Sequence, residues 1–153
     1  MEDKGFAVYK SIFGNIKIEY DGEKITMLKK IYTDEVGKKT EFTDRVYKEL
    51  VEYFNGERKS FDFEYKLVGT DFQIKVWEAL CDIPYGENRS YKDIAEAVGS
   101  PKAYRAVGMA NNKNPITFAV PCHRVIGSNG KLIGYAGGIE MKKKLLDMEK
   151  SNK

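Results

Sequence analysis

The spacing of apolar side chains changes period once along this chain, and that change fixes the fold class it can adopt. Across residues 6–32 apolar and polar positions alternate in short runs, and Tyr20-Asp21-Gly22-Glu23 supplies turn chemistry between Ile16–Tyr20 and Ile25–Leu28. That pattern predicts antiparallel strands. Past residue 40 the recurrence becomes helical: Val46, Tyr47, Leu50, Val51 and Phe54 fall on one face, Phe42-Thr43-Asp44 offers a cap ahead of them, and Asn55-Gly56 ends the run. A small sheet with one helix is expected. Residues 57–70 read as a linker with an extended stretch at Phe61, Phe63 and Tyr65.

The second half keeps the helical period. Asp71 is placed to cap a helix carrying Ile74, Val76, Trp77, Leu80 and Cys81, and Pro84-Tyr85-Gly86 stops it. Cys81, spaced with those apolar residues, reads as a buried core thiol. Ser90 begins a second helix with Ile94, Ala95 and Val98, closed by Gly99; Ser100 and Pro101 then cap and start a third helix running toward Asn111. Helix, tight glycine turn, helix is the helix-turn-helix pattern, which many helical domains share without meeting DNA. Here the third helix also carries Lys102, Tyr104 and Arg105. The expectation is an α+β chain, with a sheet-plus-helix lobe and linker over 1–70 and a helical domain over 71–153.

Composition narrows the partners. The chain has 153 residues and a 42% hydrophobic fraction, enough for a core. No apolar run approaches the roughly 18 residues that span a bilayer, and the first residues lack the pattern of a signal peptide, so a cytoplasmic protein without membrane attachment is expected. Residues 1–84 carry 14 basic and 17 acidic side chains, residues 85–153 carry 12 and 6. The positive surplus suits a polyanion partner or a solvated lysine-rich face. One histidine, and two cysteines 41 positions apart, match no familiar spacing of zinc ligands, and neither a metal nor an organic cofactor is implied.

The chemistry concentrates at Asn114-Pro115-Ile116-Thr117-Phe118-Ala119-Val120-Pro121-Cys122-His123-Arg124-Val125-Ile126. An apolar segment, read as a strand, ends at a proline and delivers a cysteine, the one histidine and an arginine in succession. A thiol is a poor nucleophile until ionised, and a nearby imidazole and positive charge both favour the thiolate. The residue types alone also allow a buried cysteine beside a surface His-Arg pair.

Pro121-Cys122-His123-Arg124-Val125, preceded by Asn114-Pro115 and followed by Tyr135-Ala136-Gly137-Gly138, closely resembles the active-site signature of the O6-alkylguanine-DNA alkyltransferases. The resemblance runs from about Phe72 through Glu149 and includes Val76-Trp77, Ile83-Pro84-Tyr85-Gly86 and Ser90-Tyr91 with order and spacing kept. The N-terminal part is similar in general character to that family's ribonuclease-H-like lobe.

The resemblance implies a suicide methyltransferase, a repair protein that flips out O6-alkylguanine, chiefly O6-methylguanine, from double-stranded DNA. The alkyl group would pass irreversibly to its own Cys122. It implies that His123 and Glu149 form a relay, through water, that withdraws the thiol proton, that Asn114 braces the hinge, and that Lys142 supports the site. Arg105 matches an intercalating arginine, and Tyr91 a tyrosine that crowds the target's phosphate. Ala103 and Ala106 match small helix residues that allow close approach to a minor groove, where Met109 is a departure, and Arg124 is assigned to DNA. Tyr135, Val125, Ala136 and Gly137 would line the alkylguanine pocket. A monomer is expected.

Three other readings compete. A silent relative that only flags damage would lack the acceptor cysteine, and a regulator using the helix-turn-helix alone would not need Pro121-Cys122-His123-Arg124. A cysteine hydrolase would need a geometry that adjacent Cys122 and His123 cannot easily build.

Overall fold

The computed structural model describes residues 3–132, 135 and 137–153; Ala136, assigned to the alkylguanine pocket, lies outside them. The chain forms two compact units, one ending at Leu67 and the other beginning at Val68.

In the first unit, β1 (Lys4–Ser11), β2 (Gly14–Asp21) and β3 (Lys24–Ile31) form an antiparallel meander, and a short β4 (Glu64–Tyr65) adds parallel to β3. The alternation does what a period of two requires: Ala7, Ile18 and Leu28 pair across the strands and are wholly buried on one face, with Ile16 and Ile25. The helix α1 (Glu41–Phe54) contributes Val46, Leu50 and Tyr53 to the same core. Tyr9 stacks on Tyr47 at 4.3 Å, and its hydroxyl donates to Asp44. Two further hydrogen bonds, Val8 to Val36 and Lys38 to Phe6, lay the segment after β3 along β1. Gly37 makes that possible, since it has φ +67° and a Cβ there would strike the Phe6 carbonyl.

Two expectations for this unit change. Thr40, not the Phe42–Asp44 trio, caps α1; Thr43 is its reciprocal partner at the third helical position, so both ends of a capping box lie within four residues. The stretch read as a linker is pinned: Arg58 bonds Glu52 at 3.0 Å and Asp62 at 3.3 Å, Phe63 is buried, and β4 joins the sheet.

The second unit contains α2 (Asp71–Cys81), β5 (Arg89–Ser90), α3 (Tyr91–Ala97), α4 (Tyr104–Asn112), a 3-10 turn (Cys122–Arg124), β6 (Val125–Ile126) and α5 (Ile139–Ser151). Val76, Trp77 and Leu80 of α2, Ile94 of α3, Val107 and Ala110 of α4, and Met141 and Leu145 of α5 build its core. The Trp77 indole donates to the Ala110 carbonyl at 2.9 Å, fastening α2 to α4. The pair α3–α4, separated by a turn in which Gly99 has φ +79°, is the expected helix-turn-helix.

The structure corrects four local expectations here. Thr70 rather than Asp71 caps α2, again as a capping box, with Gln73. The third helix starts at Tyr104 and not at Ser100-Pro101, because the Ala103 amide closes a turn onto Ser100 and the helical ladder opens with Val107 onto Ala103. Cys81 is exposed, since it ends α2 and lies off the seam of Val76, Trp77 and Leu80. Residues 116–120 are not a strand: Val120 bonds back to Ile116 and Ala119 to Thr117, which satisfies the backbone locally in a compact turn.

Candidate active site

The compact turn over 116–120 aims Cys122 into the second unit. Asn114 fixes it: its side-chain amide donates to the Val120 carbonyl at 2.7 Å, and its side-chain oxygen accepts from the Ile116 amide at 2.9 Å. The same side chain favours the charged form of the Cys122 thiol. β6 then pairs in parallel with β5, which sets the start of α3, and hence Tyr91, beside the reactive turn.

Cys122 is 5% exposed, and burial pushes its thiol up to about 11, against the smaller opposing effects of Asn114 and Lys142. Lys142, on the inner side of α5, is brought down to about 8 by burial, partly offset by attraction to Cys122. Tyr91 is half-buried near both: its ring lies 6.0 Å from the Lys142 ammonium, and burial followed by the Cys122 charge raises its hydroxyl.

His123 and Glu149 meet directly, Nε2 to Oε2 at 2.8 Å, and both are buried. Burial is the main reason the imidazole is held below its ordinary value; Glu149 opposes that shift, and the charges of Arg124 and Lys142 reinforce it. The expected His-Glu pair is therefore assembled from positions 26 apart, with His123 neutral at pH 7.

Arg124 is where placement departs from expectation. Assigned to DNA, it is instead buried, because Glu149 and the Ile83 carbonyl draw its guanidinium inward. Arg105 and Ala106, by contrast, are exposed on α4, as are Lys102 before it and Lys113 at its end. Ala103 is half-buried at the start of α4, and Met109 projects from the same face as Arg105. Val125 and Tyr135 are buried. A Cβ at Gly137 would lie 2.8 Å from both Met141 Cε and Tyr135 Cε2, so a larger residue there would have to displace those side chains.

One contact was not anticipated. Asn111, buried on α4, donates its side-chain amide to the Cys122 carbonyl at 3.3 Å. A polar residue at helical spacing with Val107 and Ala110 was the available signal, because a buried amide needs a partner.

Among the described residues, no group of three or more histidine, cysteine, aspartate or glutamate side chains could hold a metal ion. What the site can do is hold one buried thiol against a cation, next to a neutral base with its own carboxylate, behind an exposed basic helix.

Comparison with known proteins agrees in extent. Residues 71–151 match the family model of the 6-O-methylguanine DNA methyltransferase DNA binding domain, and residues 6–67 match that of its ribonuclease-like domain. The chain is similar to a methylated-DNA–protein-cysteine methyltransferase of Methanosarcina acetivorans, 48% identical over 153 residues, covering 95% of this chain and 98% of that protein. The protein of the same name from Methanosarcina barkeri is 58% identical over 105 residues, 69% of this chain and 66% of that protein. The crystal structure of Mycobacterium tuberculosis OGT in complex with DNA superposes with a TM-score of 0.87 at 45% identity, covering 96% of this chain and 93% of that one. Both family models, laid end to end, and a relative matched over nearly its full length place the chain in the 6-O-methylguanine DNA methyltransferase family.

Proposed function

We propose that this protein reverses alkylation of guanine in double-stranded DNA by moving the alkyl group from the six-position oxygen to the sulfur of Cys122, once per molecule. The observation that carries this reading is the buried thiol flanked by Asn114 and Lys142, with the His123–Glu149 pair on the next residue of the same turn.

With its thiol near 11, only about one Cys122 in ten thousand is ionised at pH 7, so a base is required. His123, neutral there, takes the proton through a bridging water, Glu149 orients the resulting imidazolium, and the Lys142 charge favours the thiolate. The thiolate attacks the alkyl carbon, the carbon–oxygen bond breaks, and its electron pair leaves with the guanine, which is reprotonated. The sulfur ends as a thioether, which has no proton to lose and is a poor leaving group.

A stacked guanine cannot present that carbon to a protein thiol, so the nucleotide rotates out at a cost of a few kcal/mol. Arg105, exposed on α4, fills the vacancy, and Tyr91 crowds the rotating nucleotide. Ala103 and Ala106 allow the helix to approach the minor groove, and Tyr135, Val125 and Gly137 wall the pocket for the extruded base. The relative in complex with DNA supports DNA as partner. Residues 71–153 hold every group named, and the protein acts as a monomer in the cytoplasm; among the described residues no helix is long and apolar enough to cross a membrane.

Incubating the protein with excess methylated-guanine oligonucleotide and measuring intact mass tests the reading. One methyl group per chain, mapped to Cys122, is expected; sustained turnover, or methyl on Cys81 instead, overturns it.

A further inference from the structure

Arg124 occupies the residue after His123, yet its side chain does the opposite of what a DNA-facing arginine would do. It is 7% exposed. Nε donates to Glu149 Oε1 at 2.8 Å and Nη2 to Glu149 Oε2 at 2.9 Å, a parallel fork, while Nη1 donates to the Ile83 carbonyl at 2.7 Å. The Tyr85 ring lies 5.6 Å from its Cζ. The same Oε2 meets His123 Nε2. One buried carboxylate therefore serves two consecutive side chains of the reactive turn.

The two demands on Glu149 differ in kind. A buried carboxylate whose sole strong partner is an imidazole stabilises imidazolium, and imidazolium has no lone pair with which to accept a proton. A carboxylate already forked by a guanidinium pulls far less on the imidazole, and its orientation is fixed in two directions rather than one. The groups facing His123 are Glu149 and Lys142 on α5, with Arg124 and Cys122 on its own turn; Tyr85 joins them through Arg124 and Glu149. Arg124 engages both oxygens of Glu149 at once.

We propose that Arg124 is a positioning residue of the transfer site, clamping Glu149 in the orientation that holds His123 and compensating its charge so that the imidazole stays a neutral base. The kinetic part rests on Cys122 being the alkyl acceptor; the state of His123 can be read without it.

That readout is simple because His123 is the one histidine in the chain, so the imidazole proton resonances of the untagged protein belong to it. In Arg124→Met the imidazole midpoint should move up by about one pH unit or more, transfer at neutral pH should fall severalfold in step with the protonated fraction, and raising the pH should restore it. Arg124→Lys keeps a charge without the fork and should leave the midpoint near that of the unaltered protein. Arg124→Met/Glu149→Gln removes both charges from the buried pair and so guards against a variant that does not fold. If Arg124 acts only through Glu149, the double variant transfers at the rate of Glu149→Gln alone.

An unmoved imidazole midpoint in Arg124→Met, with transfer lowered equally at every pH, overturns the proposal. So does a double variant slower than Glu149→Gln. A DNA affinity whose dependence on salt weakens by about one phosphate contact in Arg124→Met restores the DNA-contact assignment instead. Should the unaltered protein accept no methyl group, the proposed function fails while the titration still decides the role of Arg124.

Discussion

The Asn111 side chain and the Cys122 backbone are joined across the core, so the last turn of α4 grips the residue that carries the reactive sulfur. The helix that carries Arg105 is thus mechanically continuous with the candidate chemical centre. Asn111→Leu keeps the volume and removes the donor, while the Cys122 carbonyl retains its bond from the Val125 amide, so the cost is that of one hydrogen bond, about 0.5–1.5 kcal/mol. Denaturant unfolding should report that loss, and transfer from both duplex DNA and a soluble alkylguanine base should slow. A variant as stable and fast as the original would show the bond to be idle.

Arg105 predicts a different signature because it is exposed on α4. Arg105→Ala should slow repair of duplex DNA far more than reaction with a soluble alkylguanine base, which needs no extrusion. Parallel rate measurements with the two substrates check this. Equal slowing would remove Arg105 from the flipping step.

The meander and the first three helices were legible because their determinants are local: alternation over 6–32, helical spacing from Val46, and caps within a few residues of each start. Even so, the caps are Thr40 and Thr70 rather than the Phe42–Asp44 trio and Asp71, since several cap-competent side chains stand together and only geometry says which lies outside the helix. The motif around Cys122 marked the turn, but not the direction of its arginine. Arg124 turns inward because Glu149, 25 positions later, is folded onto it, and no local pattern carries that fact. The run from Ile116 to Val120 likewise resembled a strand by composition, whereas its hydrogen bonds close on themselves. Met109 is another case: its exposure on the Arg105 face is visible only once α4 is placed.

The two thiols should be separable by reagent. Cys81 is exposed, whereas Cys122 is buried and raised to about 11, so a small alkylating reagent at pH 7 to 8 should label Cys81 first by peptide mapping. Methylated DNA should reverse that order. Preferential labelling of Cys122 without DNA would mean that the resting site already holds a thiolate.

Acid should weaken the fold through His123. Its folded value lies below its unfolded one, so the unfolded chain binds the extra proton first; the associated stability is present above about 6.5 and is lost as pH falls from there toward the folded value. Unfolding midpoints measured from pH 8 down to 5 should fall more steeply for the unaltered protein than for His123→Asn. Parallel curves would place the acid sensitivity elsewhere.

Three helices, α1, α2 and α3, begin with reciprocal side-chain caps, while the residues ahead of α4 and α5, Ala103 and Gly138, provide no side-chain cap. An uncapped first turn leaves amide donors that are not retained by the chain itself. Such turns open most readily, so amide hydrogens at the starts of α4 and α5 should exchange with solvent deuterium sooner than those at the other three. The helix bearing Arg105 and the helix bearing Lys142 and Glu149 are the two concerned. Opening is thereby easiest at those two turns, and the starts of α1, α2 and α3 stay closed.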